Sequence, residues 1–274
     1  MDTLNAMNKK ICVLNDKKTI TNVFWTGGWD STYMLIKLLK QNKTVQPIYV
    51  IDNGRASRNN EMLAMAEILK HLENLGGEVL PIVQININEI KENEEISNSY
   101  KNLCKKVRLG SQYDWIARLA LEYPGIAMGI EKPNGEFSGC LAAIEKTGKL
   151  IFKDGVGFID VNHSSQDCIN IFGNVCFPII ELTETDMVKD IKEWGLEKVM
   201  KNIWFCHAPI NGIPCGTCRP CQQKMECKMN FLLPPKSQLR YKIFHLIERT
   251  IGKSSAKLYS KFIHSHYFHF FHYN

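Results

Sequence analysis

Apolar and polar positions change period sharply near the start of the chain. Asn22-Val23-Phe24-Trp25 is a short β-branched and aromatic run ending at Thr26-Gly27-Gly28, and it predicts a strand. Directly after it, Met34, Leu35, Leu38 and Leu39 recur at helical spacing, so a helix is expected over 31–40. Pro47-Ile48-Tyr49-Val50-Ile51 supplies a second strand and closes a βαβ unit. The loop Asp52-Asn53-Gly54-Arg55 leads to a helix over about 60–75, stopped by Gly76-Gly77, and 79–87 reads as a third strand. Such alternation predicts an α/β fold: a Rossmann-like parallel sheet with helices on both faces.

Further along, the acidic stretch 89–95 reads as a solvated loop or helix start, 114–123 as a helix and 125–130 as a strand. Two apolar runs, 149–152 and 156–159, flank Asp154-Gly155 and predict a hairpin. A helix over 185–194 is capped by Thr183 or Thr185 and stopped by Gly195. Pro234-Pro235 breaks the chain. Beyond it, Leu239, Ile243, Leu246, Ile247 and Ile251 form the apolar stripe of an amphipathic basic helix. The expected organisation is an α/β domain over 1–200, a cysteine-rich subdomain over 201–235 and a helical tail over 236–274.

With 274 residues, 45% of them apolar and 23% charged, the chain can bury a sizeable core. No run approaches the ~18–20 apolar residues of a membrane span. Met1-Asp2-Thr3-Leu4-Asn5 has no basic region followed by an apolar one. A cytoplasmic protein is expected. The net charge of +6 is uneven: 34 basic residues stand against 28 acidic ones, and seven and one of these lie in 236–274. The first 235 residues therefore balance at 27 each, and the excess belongs to the tail. Three readings of that tail follow: packing on the body, contact with an anionic membrane surface or RNA, and metal binding by His264, His266, His269 and His272.

The turn Thr26-Gly27-Gly28-Trp29-Asp30-Ser31-Thr32 lacks the Gly-Lys-Ser/Thr of a Walker A loop and the spacing of a dinucleotide fingerprint. Its physics is related. Two glycines allow close backbone approach to an anion, and a helix starting at Ser31 aims free N–H groups at it. Ser31 and Thr32 add hydroxyls. Asp30 would repel a bare phosphate, which points to Mg²⁺. The plainer reading is a helix cap, with Asp30 or Ser31 as the N-cap. Trp29 is the one tryptophan placed to cover a nucleotide.

Five of the ten cysteines are scattered: Cys12, Cys104, Cys140, Cys168 and Cys176. The others crowd together. Cys206-x8-Cys215-x2-Cys218-x2-Cys221 offers four thiolates, and Pro214 and Gly216 permit the tight knuckle that aims them at one ion. Zinc is the expected metal, with an iron–sulfur cluster as the rival. Cys227 falls outside the spacing. His207 either orients the metal site or faces solvent.

Thr26-Gly27-Gly28-Trp29-Asp30-Ser31 resembles the Ser-Gly-Gly-x-Asp-Ser signature of the PP-loop ATP pyrophosphatases, with Thr in place of the first Ser. The cysteine knuckle narrows the resemblance to the 7-cyano-7-deazaguanine synthase family of queuosine biosynthesis. Phe177-Pro178-Ile179 and Trp204-Phe205-Cys206 match its approach to the knuckle, Asp52-Asn53-Gly54-Arg55 with Glu61 resembles the loop after its second strand, and 108–120 is loosely similar to its Gly-Arg-Asn segment. The resemblance implies a fold of the adenine nucleotide α-hydrolase type. It also implies an ATP-dependent ligase that adenylates a carboxylate and couples it to ammonia, with 7-carboxy-7-deazaguanine as the family's acceptor. Thr26, Gly27, Gly28, Trp29, Asp30, Ser31 and Thr32 would bind nucleotide, pyrophosphate and Mg²⁺, with Asp52 and Gly54 nearby. Asp30, Ser31 and Arg55 would be catalytic, and Cys206, Cys215, Cys218 and Cys221 would hold structural Zn²⁺. A homodimer is a further expectation.

The sequence departs from that family in two places. Lys132-Pro133-Asn134-Gly135-Glu136 stands where the family has a Tyr-Pro-Asp-Cys-Arg segment of the substrate pocket, and Leu109-Gly110-Ser111-Gln112 blurs the Gly-Arg-Asn segment. A paralogue acting on another carboxylate is therefore one alternative. A PP-loop tRNA-modifying thiolase with an iron–sulfur cluster is another, and a non-catalytic nucleotide-binding protein recruited through its basic tail is a third.

Overall fold

The computed structural model describes residues 20–133, 135 and 139–268, the side chains of 266–268 excepted. Met1–Asn5, Cys12, Asn134, Glu136, His269 and His272, and the side chain of His266, lie outside the described residues.

The predicted βαβ start is present: β1 (Ile20–Phe24), α1 (Trp29–Lys40) and β2 (Thr44–Ile51). β1 and β2 pair in parallel from Ile20↔Thr44 to Phe24↔Ile48. Nine of the twelve α1 residues are buried, so this helix sits inside the molecule. Next come α2 (Arg58–Leu69), β3 (Glu78–Val79) and β4 (Val83–Asn86). The third strand expected over 79–87 is thus two short pieces, and α2 ends before 75. Proline explains the split. Val45 O accepts from Leu80 N at 2.9 Å on the edge side of β2, whereas Ile48 O accepts from Trp25 N at 3.0 Å on the β1 side. Pro47 shares the edge side with Val45 and has no N–H to offer there, and Pro81 sits between the two pieces.

The chain then crosses to the other side of β1 through α3 (Glu94–Lys106) and α4 (Gln112–Glu122). The acidic stretch is therefore a helix start, with Asn93 Oδ1 accepting from Ile96 N at 3.0 Å. β5 (Ile126–Ala127), α5 (Gly139–Thr147), the hairpin β6 (Leu150–Lys153) and β7 (Val156–Ile159), α6 (Gln166–Phe172) and β8 (Val175–Cys176) follow. Asp154 and Gly155 take φ of 52° and 75° in the hairpin turn, as a primed turn requires. The main sheet runs β3-β2-β1-β5-β8, with β4 also on β2, and every pairing in it is parallel. Five strand positions result, with the edge position interrupted.

Each face of the sheet carries a core. Val23, Trp25, Val45 and Tyr49 pack with α1, α2 and α7 (Glu184–Glu193). Ile48 and Val50 pack with α3, α4, α5 and α6 through Leu103, Ile116, Ala143 and Phe172. Thr183 caps α7 in a reciprocal box with Asp186. α8 (Glu197–Met200) leads to the cysteine segment, where α9 (Arg219–Glu226) begins. Beyond it, α10 (Pro235–Thr250) and α11 (Lys253–Phe268) form a helical hairpin. Among the described residues, no helix is long and apolar enough to cross a membrane.

Candidate functional site

β2 lies on one side of β1 and β5 on the other, so chain order reverses at β1 and a crevice opens at the carboxyl ends of the strands. A cleft of about 480 Å³ fills it. The β1–α1 turn lines one wall, Arg55 and Glu61 another, and Tyr113, Trp115 and Ile116 of α4 a third. Trp204, Phe205 and His207 arrive from the segment before the knuckle, and Gln223 and Lys224 from α9.

α1 starts at Trp29 with Gly28 as its N-cap, and no side chain caps it. This corrects the expected start at Ser31 and the Asp30 or Ser31 cap. Gly28 is extended, at φ −81° and ψ 172°, and the next residues already belong to the helix. The first-turn N–H groups therefore lack a capping side chain. Gly27 makes the turn at φ 67°, and its carbonyl accepts from Trp204 N at 2.8 Å. Gly129, just after β5, presses on the same turn: a Cβ there would stand 2.8 Å from Ser31 N.

Of the residues expected around a nucleotide, Thr26, Gly28, Trp29, Asp30, Ser31 and Arg55 line the cleft. Gly27, Thr32, Asp52 and Gly54 are not among its lining residues. Thr32 is buried, and its hydroxyl accepts from the Trp25 indole at 3.0 Å. Asp52 Oδ1 accepts from Gly54 N at 2.8 Å and folds that loop on itself. Arg55 is held by Glu61, whose Oε2 lies 3.2 Å from its Nη1. Tyr49 Oη at 2.9 Å and Ser57 Oγ at 2.6 Å donate to the same carboxylate.

Beside the turn lies a buried charge cluster. Lys224 and Glu184 form an ion pair, with side chains only 6% and 3% exposed. The Lys224 ammonium stands 5.2 Å from the centre of the Trp29 ring. Glu131 Oε1 accepts from Gln223 Nε2 at 3.2 Å. Asp30 Oδ1, Glu131 Oε2 and Glu184 Oε2 are buried without a hydrogen-bond partner. Burial pushes the Asp30 carboxyl up to about 6; Lys224 opposes the rise and Glu184 adds to it. Burial likewise raises Glu131 to about 8, reinforced by Asp30 and Glu184. The cluster joins residues from three helices and the segment after β5, so only one local signal pointed to it. Cys218, Cys221 and Lys224 recur every three residues, which carries the metal-ligand spacing along α9 to the ammonium.

The four cysteines converge. Their sulfurs all lie within 4.8 Å of one another, with Cys215–Cys221 and Cys206–Cys218 each at 3.9 Å. A tetrahedral ion about 2.3 Å from each thiolate sets sulfurs roughly 3.8 Å apart, so the set fits one zinc-sized ion. Backbone N–H groups of Cys215, Thr217 and Cys218 point at its sulfurs at 3.1 to 3.3 Å, the partners a thiolate needs. The four thiols split: their neighbours, led by Cys206, hold Cys215 and Cys218 below the ordinary thiol range, while Cys206, chiefly through Cys215, and Cys221, chiefly through Cys206, are driven above it. Cys227 lies outside this tetrad. His207 is exposed and lines the cleft.

The helical hairpin packs on the knuckle. Thr217 Oγ1 and Ser260 Oγ are 2.8 Å apart, Ser237 Oγ donates to Pro214 O, and Ile263 joins Cys206, Cys215 and Cys221 in one apolar cluster. His264 is engaged by the Ser260 and Ala208 carbonyls at 2.6 and 3.2 Å. No protein-family model matches the chain, and no curated protein matches it significantly.

Proposed function

We propose that the chain is an ATP-dependent PP-loop ligase that adenylates a carboxylate and couples it to ammonia, in the manner of the 7-cyano-7-deazaguanine synthases. One observation carries the reading: the α1 N-terminus, without a side-chain cap, opens into a cleft that Asp30, Ser31 and Arg55 also line. Such a helix end binds the anion that departs when ATP is cleaved between its α and β phosphates. The sheet order supports a fold of the adenine nucleotide α-hydrolase type, with the site at its switch point.

In this chemistry a carboxylate oxygen attacks the α phosphorus and pyrophosphate leaves. Ammonia then adds to the acyl carbon, AMP leaves with its bonding electron pair, and an amide and a proton result. The Ser31 hydroxyl and the first-turn N–H groups would hold the pyrophosphate. Arg55, oriented by Glu61, would meet the phosphates from a second wall of the cleft. The unpartnered Asp30 oxygen fits a hard cation, and Mg²⁺ held there would neutralise the leaving group. Phe24 and Trp115, edge to face at 5.6 Å, give the far side an aromatic wall suited to a planar acceptor.

The thiolate spacing favours a single structural ion over a multi-iron cluster, which argues against the thiolase reading. A second reading stands on the departure at 132–136: the same activation chemistry applied to another acceptor. Incubation with ATP, Mg²⁺, ammonia and 7-carboxy-7-deazaguanine tests the proposal by mass spectrometry. AMP, pyrophosphate and the amide or nitrile are expected. Acceptor-independent ATP cleavage to AMP with neither product would favour the second reading. No cleavage, or cleavage that survives Asp30→Ala, would leave the nucleotide-binding alternative.

A further inference from the structure

The helical hairpin spends only part of its apolar surface on the knuckle. Ser237, Phe244, Ala256 and Ile263 are buried. Leu239, Leu246, Ile251 and Leu258 are 58%, 61%, 70% and 69% exposed. Leu239 and Leu246 are two turns apart and share one face of α10, with half-buried Ile243 between them. Exposed Lys236, Lys242 and Arg249 flank that face, and exposed Lys257 and Lys261 flank Leu258 on α11. The one acid of the segment, Glu248, lies 3.0 Å from His245.

We propose that the outer face of the α10–α11 hairpin lays the protein on an anionic lipid bilayer. Leu239, Leu246 and Leu258 enter the boundary between headgroups and acyl chains, and the flanking lysines meet the lipid phosphates. Three observations select this occupant. Exposed leucines bordered by basic side chains form the pattern of an interfacial helix. A second copy of the chain would bring like charges together, six in excess on each side. RNA would engage the lysines but gain nothing from the leucines. Among the described residues neither helix is long and apolar enough to span the bilayer, so the hairpin lies in its surface.

The test is co-sedimentation of the full chain with vesicles of phosphatidylcholine alone, or with roughly one-third phosphatidylglycerol. Binding to the anionic vesicles is expected to be at least ~10-fold stronger, and to weaken as salt screens it. Leu246→Asp with Leu258→Asp, and separately Lys242→Glu with Lys257→Glu, should each abolish it at unchanged bound zinc and helical content. If the aspartate variant fails to fold, Leu246→Ser with Leu258→Ser replaces it and should weaken binding several-fold. Equal binding to both vesicles, or binding indifferent to the leucines, overturns the proposal. So does an oligomer that dissociates on the leucine changes, or RNA binding that needs only the lysines while the vesicles are ignored.

Discussion

Cys221 and Lys224 stand one turn apart on α9, and the helix turns the first into the thiolate tetrad and the second into the cleft. Both are buried. Cys218, a member of the tetrad, is the N-cap of α9, so the knuckle sets where the helix that carries the ammonium begins. Trp204 makes a second link: its N–H holds Gly27 O at 2.8 Å and its indole donates to Cys206 O at 2.8 Å.

Under the proposed function, loss of an ion from the tetrad should therefore reach the nucleotide-binding cleft, although no cysteine lines that cleft. Cys221→Ser is expected to lower bound zinc and to reduce Tm by about 5–10 °C. It should also weaken MgATP binding by about tenfold, the cost typical of losing a support behind a ligand-binding group. Metal analysis, thermal melts and calorimetric titration measure the three effects. Unchanged ATP affinity in a folded, zinc-depleted protein would show that the two sites are independent.

The Lys224–Glu184 pair predicts a strong non-additivity. Lys224→Met leaves Glu184 charged and buried, with Asp30 and Glu131 close by, and should cost about 3–5 kcal/mol. Adding Glu184→Gln removes the stranded charge and should recover most of that loss. Urea denaturation of wild type, both single variants and the double variant gives the coupling. A double variant as unstable as Lys224→Met would mean that the ammonium acts through Asp30 or Glu131 instead.

Asp30 sits in the first turn of α1 with one oxygen unsatisfied, so the charge and not the shape of its side chain matters under the proposed function. Asp30→Asn keeps the shape. AMP release from ATP should fall by about 10²–10³-fold with the fold intact. Burial raises this carboxyl to about 6, so wild-type turnover should decline as pH drops through that value and the carboxylate is lost. A pH–rate profile flat from neutrality down to pH 5 would remove Asp30 from the rate-determining chemistry.

Much of this site was legible in the sequence, and the illegible part has a common cause. The β1–turn–α1 unit is written locally, as a change of period across two glycines. The four thiolates and the Asp154-Gly155 turn are also local. Glu131, Glu184 and Lys224 are not, because a buried charge becomes visible only when the fold supplies its partner. α5, α6 and β8 were missed for a related reason: their apolar runs are short and buried on several sides, so no amphipathic period stands out. The interrupted edge strand is a third case. Pro47 and Pro81 are both plain in the sequence, but their meeting depends on register. The N-cap of α1 shifted for a simpler reason, since extended Gly28 ends the turn without any side chain.

Glu131 makes stability depend on pH in a definite direction. Its carboxyl is raised from 4.5 to about 8, so between those values the native state holds a proton that the unfolded chain releases. Its contribution to stability is complete below pH 4.5 and fades as pH climbs to 8. Glu131→Gln keeps a neutral side chain at every pH and removes that slope. The difference in stability, variant minus wild type, should be near zero at pH 5 and should favour the variant at pH 8.5 by roughly 1–3 kcal/mol, after allowing for partial solvent access. Acids shifted in the opposite direction, such as Glu67, Asp160 and Asp186, whose pKa values are lowered, are common to both proteins and cancel. Thermal melts across this range without added Mg²⁺ measure the difference. A constant offset between the two proteins would mean that Glu131 is ionised throughout, and the resident proton of the cluster would then have to sit elsewhere.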